Sequence, residues 1–353
     1  MKLVYYKSKS PANSSRAFLT HAEAVSQPEG SINLVFNSKY GFVFNSEFNS
    51  SLIRHDDAYN TSDVFHLDES MQYLQPLIDS MSLDLIVDIG CGQGELVKML
   101  ESKGLKALGF DPTLREPSSV LFKKYFDSYD LRERKTDSIL FVLRCVLPHI
   151  QNPFHFVDNL MKGFPNSKVL IEFQDLNYLL DNNLWLNISH DHVNYFNHAS
   201  FRHKYQVLCS GSFAGGEWGF TLLNGKFKNS FRIEFQSRFL LSDKFKKIRK
   251  FKKTQLLKMA MINDHIYIYG AAGKGTQLCH ELSSLGYQSL KVIDQNEKKH
   301  NLFLESSGYQ IISISTAREN LTDDSVILVL NPRHFEFVKL NFPKCQVKNL
   351  MTL

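Results

Sequence analysis

The residues best suited to chemistry fall in two short stretches. In the first, Asp88-Ile89-Gly90-Cys91-Gly92-Gln93-Gly94, glycines alternate behind an apolar run and open a helix-forming one. Glycine lets the backbone approach a ligand closely, and the helix leaves unpaired N–H groups pointing at it. Asp111 ends the next apolar run, at the spacing expected of a carboxylate that grips a ribose. On spacing alone this is compatible with a dinucleotide site, while Asp88 adds a carboxylate able to reach an ammonium group on the ligand. In the second stretch, His190-Asp191-His192, two imidazoles flank a carboxylate shortly after an apolar strand. That arrangement suits acid–base work. A packing role is equally compatible with the residue types. So is a metal site, because His190 and His192 would point the same way on an extended chain.

These stretches need a scaffold. Leu85–Asp88, Ala107–Asp111, Ser138–Leu143 and Val169–Phe173 read as strands, with helices over Glu95–Lys103 and Phe154–Lys162. Continuous apolar strands separated by helices predict an α/β fold whose parallel sheet is covered on both faces. The spacing divides the 353 residues into a polar module over 1–58 with a hairpin at Leu34–Phe36 and Tyr40–Phe44, an α/β domain over 59–208, a hairpin (Trp218–Leu223, Phe231–Gln236) and basic helix over 209–262, and a second α/β domain over 263–353. That last domain opens with its own strand and turn, His265–Tyr269 and Gly270-Ala271-Ala272-Gly273-Lys274-Gly275. A lone glycine turn fits either a ligand site or a fold half that binds nothing. In the run Lys244–Lys253, Phe245, Ile248 and Phe251 recur every three residues, the pattern of a solvated linker helix.

A net charge of +5 suits an anionic small molecule and falls far short of the basic footprint of a nucleic-acid binder. The five cysteines are dispersed and odd in number, with no CxxC pair, so neither a disulfide framework nor a zinc site is expected. With no apolar signal core or membrane-spanning run, the expected location is cytoplasmic and no membrane partner is expected.

The segment Asp88–Gly94 closely resembles the signature of Rossmann-like (class I) methyltransferases, which use S-adenosylmethionine (SAM). The resemblance places Asp88 at the methionine ammonium, Phe110 at the adenine and Asp111 at the ribose. Asp191-His192-Val193-Asn194-Tyr195-Phe196 resembles the Glu-His-x-x-Tyr-Phe/Tyr signature of the sugar C-methyltransferases, which act on nucleotide-linked keto-deoxysugars. Tyr59-Asn60-Thr61-Ser62, Leu147–Pro153, Tyr269–Gly275 and Val292–Lys298 resemble further parts of that family in its order. The resemblance implies a class I domain preceded by a small module and followed by a Rossmann-like domain. It also implies His192 as general base, with Asp191 orienting it and Tyr59 and His190 bonding the sugar.

There are departures from that pattern. The family's four-cysteine zinc module is represented by Ile32–Phe44, which has no cysteine, so no metal is expected. Asp191 replaces the usual glutamate and Pro148 stands where glutamate is common. The resemblance therefore implies methylation of a nucleotide-linked sugar at carbon. O-methylation of a glycan or other small molecule, and a non-catalytic SAM-binding scaffold, are the competing readings.

Overall fold

Alternating burial along Glu29–Asn37 makes a strand with one covered face. In the computed structural model it is β3, paired antiparallel with β1 (Tyr6–Pro11) and β4 (Phe42–Asn45). The structure describes residues 6–55, 67–131, 138–227, 247, 250, 254–256, 258, 265–288 and 290–350. The hairpin expected near residues 34–44 is thus the β3–β4 pair. Between them β1 and β3 bracket a two-residue strand, β2 (Ala17–Phe18), which leaves this sheet for the C-terminal one.

The central sheet forms around β5 (Leu85–Ile89), in which every residue is buried, as a strand covered on both faces requires. It pairs in parallel with β6 (Ala107–Phe110) on one side and β8 (Ile139–Arg144) on the other. β7 (Leu121–Phe122) adds beyond β6, and β9 (Lys168–Gln174) adds beyond β8. The chain leaves β5 for one side and later returns on the other, so a crevice opens at the carboxyl end of β5. Helices α1 (Leu67–Asp79) and α2 (Glu95–Ser102) contribute Leu74, Ile78, Leu96, Val97 and Leu100 to the core on one face. On the other face α3 (Pro153–Gly163) adds Phe154, Val157 and Leu160.

The expected domain edge at 208/209 falls inside a strand. β11 (Tyr205–Phe213) pairs antiparallel with β12 (Trp218–Phe227), and β12 pairs antiparallel with β9. The hairpin therefore completes the central sheet, in the order β11-β12-β9-β8-β5-β6-β7. Phe231–Gln236 lies outside the described residues, as does most of the basic run, of which Lys247 and Lys250 are helical. A short strand, β10 (Asn194–Tyr195), pairs with β4, so the loop carrying His190–His192 is joined to the N-terminal sheet.

The C-terminal sheet runs β18-β17-β13-β14-β16-β15-β2. Its strands are β13 (Ile266–Tyr269), β14 (Lys291–Ile293), β15 (Phe303–Leu304), β16 (Gln310–Ile312), β17 (Val326–Val329) and β18 (Gln346–Asn349). Helix α4 (Lys274–Ser284) follows its glycine turn. One core joins this domain to the N-terminal sheet and to the segment 176–195, with Leu34, Trp185, Ile188 and Leu278 among its members. Among the described residues, no helix is long and apolar enough to cross a membrane.

Candidate active site

The donor side is built at the end of β5. Gly90, Gly92 and Gly94 all have positive φ, which explains the alternation of glycines. A Cβ at Gly90 would come 2.2 Å from Val146, so this turn lies against the segment that follows β8. At Gly92 the same Cβ would meet nothing within 4 Å, leaving open space beside the backbone. Asp111 closes the turn: its Oδ2 accepts from the Gly92 N–H at 3.0 Å, and its Oδ1 accepts from the N–H and hydroxyl of Thr113.

Asp88 is buried, and its Oδ1 has no hydrogen-bond partner among the described residues. Burial pushes its carboxyl up to about 7; Arg144 opposes this, and Glu172 and Asp111 reinforce it. A buried carboxylate lacking a donor is costly unless a cationic group reaches it. The donor set therefore fits SAM: Asp88 would take the ammonium, and the Gly90–Gly94 turn and Asp111 would hold the nucleoside end. Phe110 departs from its expected role. It is 2 % exposed and stacked on Phe122 at 4.9 Å, with Phe126 at its edge, so its ring packs the core.

Beneath this turn runs a buried polar network centred on Glu172, whose partners Arg144 and Tyr73 sequence reasoning missed. Arg144 Nε donates to Glu172 Oε2 at 3.2 Å, and the Tyr73 hydroxyl donates to Glu172 Oε1. Tyr73 stacks on Phe220 at 3.8 Å, fastening α1 to β12. Glu172 is thereby occupied as a structural carboxylate. Cys145, next along, has φ 57, a left-handed conformation that turns the chain sharply out of β8.

The acceptor side lies where β8 leads into Leu147–His149, at the same carboxyl edge of the sheet. His149 and His192 meet edge to face, with ring centroids 4.7 Å apart, and Tyr195 borders His192 at 6.4 Å. His149 Nδ1 lies 2.8 Å from the Asp191 carbonyl oxygen, which can only accept, so Nδ1 carries the proton. Burial and the neighbouring His192 push His149 down to about 4, against the pull of Asp191, which keeps it neutral at physiological pH. His192 is half-buried, and among the described residues no hydrogen bond reaches its ring.

His190 and His192 do not point the same way. A bend at 189–192 sends His190 into the N-terminal sheet, where it is fully buried. There its Nδ1 donates to the Ser31 carbonyl at 2.8 Å and its Nε2 accepts from the Asn49 N–H at 3.3 Å. With both nitrogens bonded internally, His190 is a packing residue and cannot bond a sugar. Nor does the Asp191 carboxylate bond His192. It accepts from Ser14 N–H (3.0 Å), Ser14 Oγ (2.6 Å) and Ser189 Oγ (2.6 Å). Burial alone would raise its pKa, but the two imidazoles and these hydrogen bonds outweigh that and leave it lowered.

Tyr59, with Asn60, Thr61 and Ser62, lies outside the described residues. In the C-terminal turn, Lys274 is paired with Glu217 at 3.0 Å, so its charge is met within the chain. His149 could have been found from the sequence, since it stands in the Leu147–Pro153 stretch. Ser14 could not, because nothing local distinguishes it from a loop serine.

Residues 69–206 match the model of a family described as a methyltransferase domain. A comparison with curated proteins finds no match. Among solved structures, a protein of Pyrococcus horikoshii OT3 is similar at 19% identity and a TM-score of 0.34, over 44% of this chain and 90% of that one. A SAM-dependent methyltransferase from Archaeoglobus fulgidus is similar at 13% identity and a TM-score of 0.34, over 45% and 93%. The plantazolicin methyltransferase BamL, solved with a triazolic desmethylPZN analogue and SAH, is similar at 16% identity and a TM-score of 0.31, over 42% and 79%. The matched region contains the glycine turn, Asp88, Asp111 and the His149–His192 pair, so residues 69–206 are those of a methyltransferase domain.

Proposed function

We propose that the chain methylates a nucleotide-linked keto-sugar at carbon, with His192 as general base. The observation that carries this reading is the His192 ring: half-buried, without a hydrogen bond among the described residues, and at the sheet edge that also holds the glycine turn. SAM supplies an electrophilic methyl group on sulfur. His192 would take the proton alpha to the sugar carbonyl, and the enolate carbon so formed would attack the methyl as the carbon–sulfur bond breaks. His149, neutral with its Nδ1–H fixed on Asp191, would keep a second positive charge away from His192 as it gains the proton. Positioning supplies much of the rate of such a transfer. Tyr59 is our proposed hydrogen-bond partner for the sugar.

The test is a transfer assay with methyl-labelled SAM against a panel of nucleotide-linked keto-sugars, followed by product analysis. Label on carbon supports the reading. Label on oxygen would reassign His192 to a hydroxyl proton. No transfer to any sugar, with transfer to another small molecule, would overturn the substrate class.

A further inference from the structure

Asn13 and Ser14, in the turn between β1 and β2, are buried between the acceptor-side loop and the C-terminal glycine turn. Ser14 donates to Asp191 Oδ2 through both its N–H and its hydroxyl. Its carbonyl accepts from the Gly273 N–H at 2.8 Å and from the Thr276 hydroxyl at 2.9 Å. Asn13 is held as firmly: its N–H and side-chain amide donate to Glu305 Oε1, and its Oδ1 accepts from the Arg54 N–H. A short segment of the N-terminal module is thus anchored to the C-terminal domain on one side and to the acceptor loop on the other.

The acceptor loop has little regular structure of its own to hold it. Residues 188–193 are bend and coil, anchored to the N-terminal sheet by His190, whose N–H donates to Ser10 Oγ, and by the Val193 carbonyl, which accepts from the Asn45 N–H, while the two oxygens of the Asp191 carboxylate bind Ser14 and Ser189. Gripping both oxygens fixes the Asp191 peptide, whose carbonyl in turn holds the Nδ1–H of His149. That bond selects one tautomer and leaves Nε2 as the basic nitrogen. We propose that Ser14 is a positioning residue for methyl transfer, its hydroxyl acting through Asp191 to set the tautomer of His149 and the place of His192. The proposal rests on the reading of His192 as base, but its test does not.

The test uses the full chain, saturated with SAH and labelled with nitrogen-15 at histidine. In the wild type His149 should show one tautomer, protonated on Nδ1. Ser14→Ala should give a mixture of both tautomers at unchanged SAH affinity by calorimetry, and Ser14→Thr, which keeps the hydroxyl, should restore the single tautomer. Ser14→Cys, close in size but a weak donor, serves if the alanine variant does not fold, and should give the same mixture. A wild-type His149 signal in the alanine or cysteine variant, whether or not its melting temperature falls, would overturn the proposal. Retained turnover in His192→Asn, with the Ser14 result standing, would sink the base assignment alone.

Discussion

Asp88 is a carboxyl group sealed from water with an oxygen left unbonded, and this makes donor binding depend on pH. Its pKa rises from 3.8 to about 7 on folding, so the folded, ligand-free protein holds a proton that the unfolded chain has already released. The sign follows from linkage. The neutral form's contribution to stability is fully present below the lower value and is lost as pH climbs toward the upper one. A bound ammonium reverses the preference, because it needs the carboxylate. The melting-temperature gain given by SAH should therefore grow between about pH 6 and pH 8 and flatten above; an equal gain across that range would refute the ammonium contact. Asp88→Asn should flatten the pH response and weaken SAH binding. For His192→Asn, turnover should fall by roughly 10²–10⁴-fold, the usual worth of a general base, with calorimetric SAH affinity unchanged.

At the scale of elements, the glycine turn separates conformation from ligand space. Gly92 and Gly104 both have positive φ, and a Cβ at either meets nothing within 4 Å. Alanine at either position should cost about 1–2 kcal/mol of stability, the left-handed strain of an L-residue. In denaturant titrations the two variants should match, yet Gly92→Ala alone should lose SAH binding, because its Cβ fills the donor cradle. Elements buried on both faces were legible in the sequence, since β5, β6, β8 and β9 announce themselves as apolar runs, interrupted only by Asp88 in β5 and Glu172 in β9 between their apolar residues. β11 did not, because as an edge strand it mixes half-buried and exposed residues along Tyr-Gln-Val-Leu-Cys-Ser-Gly-Ser-Phe. β2 and β10, two residues each, are strands only because distant partners pair with them. The same distinction runs through the site. Asp88, the glycines and Asp111 are local and readable, whereas the parting of His190 from His192 depends on a bend imposed by the N-terminal sheet.

Across the whole molecule, the N-terminal module is part of the catalytic domain's interior. Phe42 on β4 is buried with its ring 5.4 Å from Phe154 and 5.3 Å from Phe196. Phe42→Ala should cost about 3–5 kcal/mol, as truncation of a buried aromatic does. The loss should appear as one earlier unfolding transition shared by all three sheets, because a single core joins the N-terminal sheet to the C-terminal one. A separate early transition, with the catalytic sheet unfolding as before, would show instead that the module is an appendage.

The pairing of β2 with β15, and the bonds from Asn13 to Glu305 across 292 residues, also bear on how the chain is made. A ribosome adding roughly 5–20 residues per second takes on the order of 15–60 s to cover that separation. Through that interval Ala17 and Phe18 have no partner strand, and Ser14 cannot yet meet Gly273. The central sheet can close once β12 has emerged, but the turn that holds the acceptor loop must wait for the last domain. A nascent chain halted after the central sheet would therefore have a complete donor cradle and an unset acceptor side, able to hold SAM before it can use it.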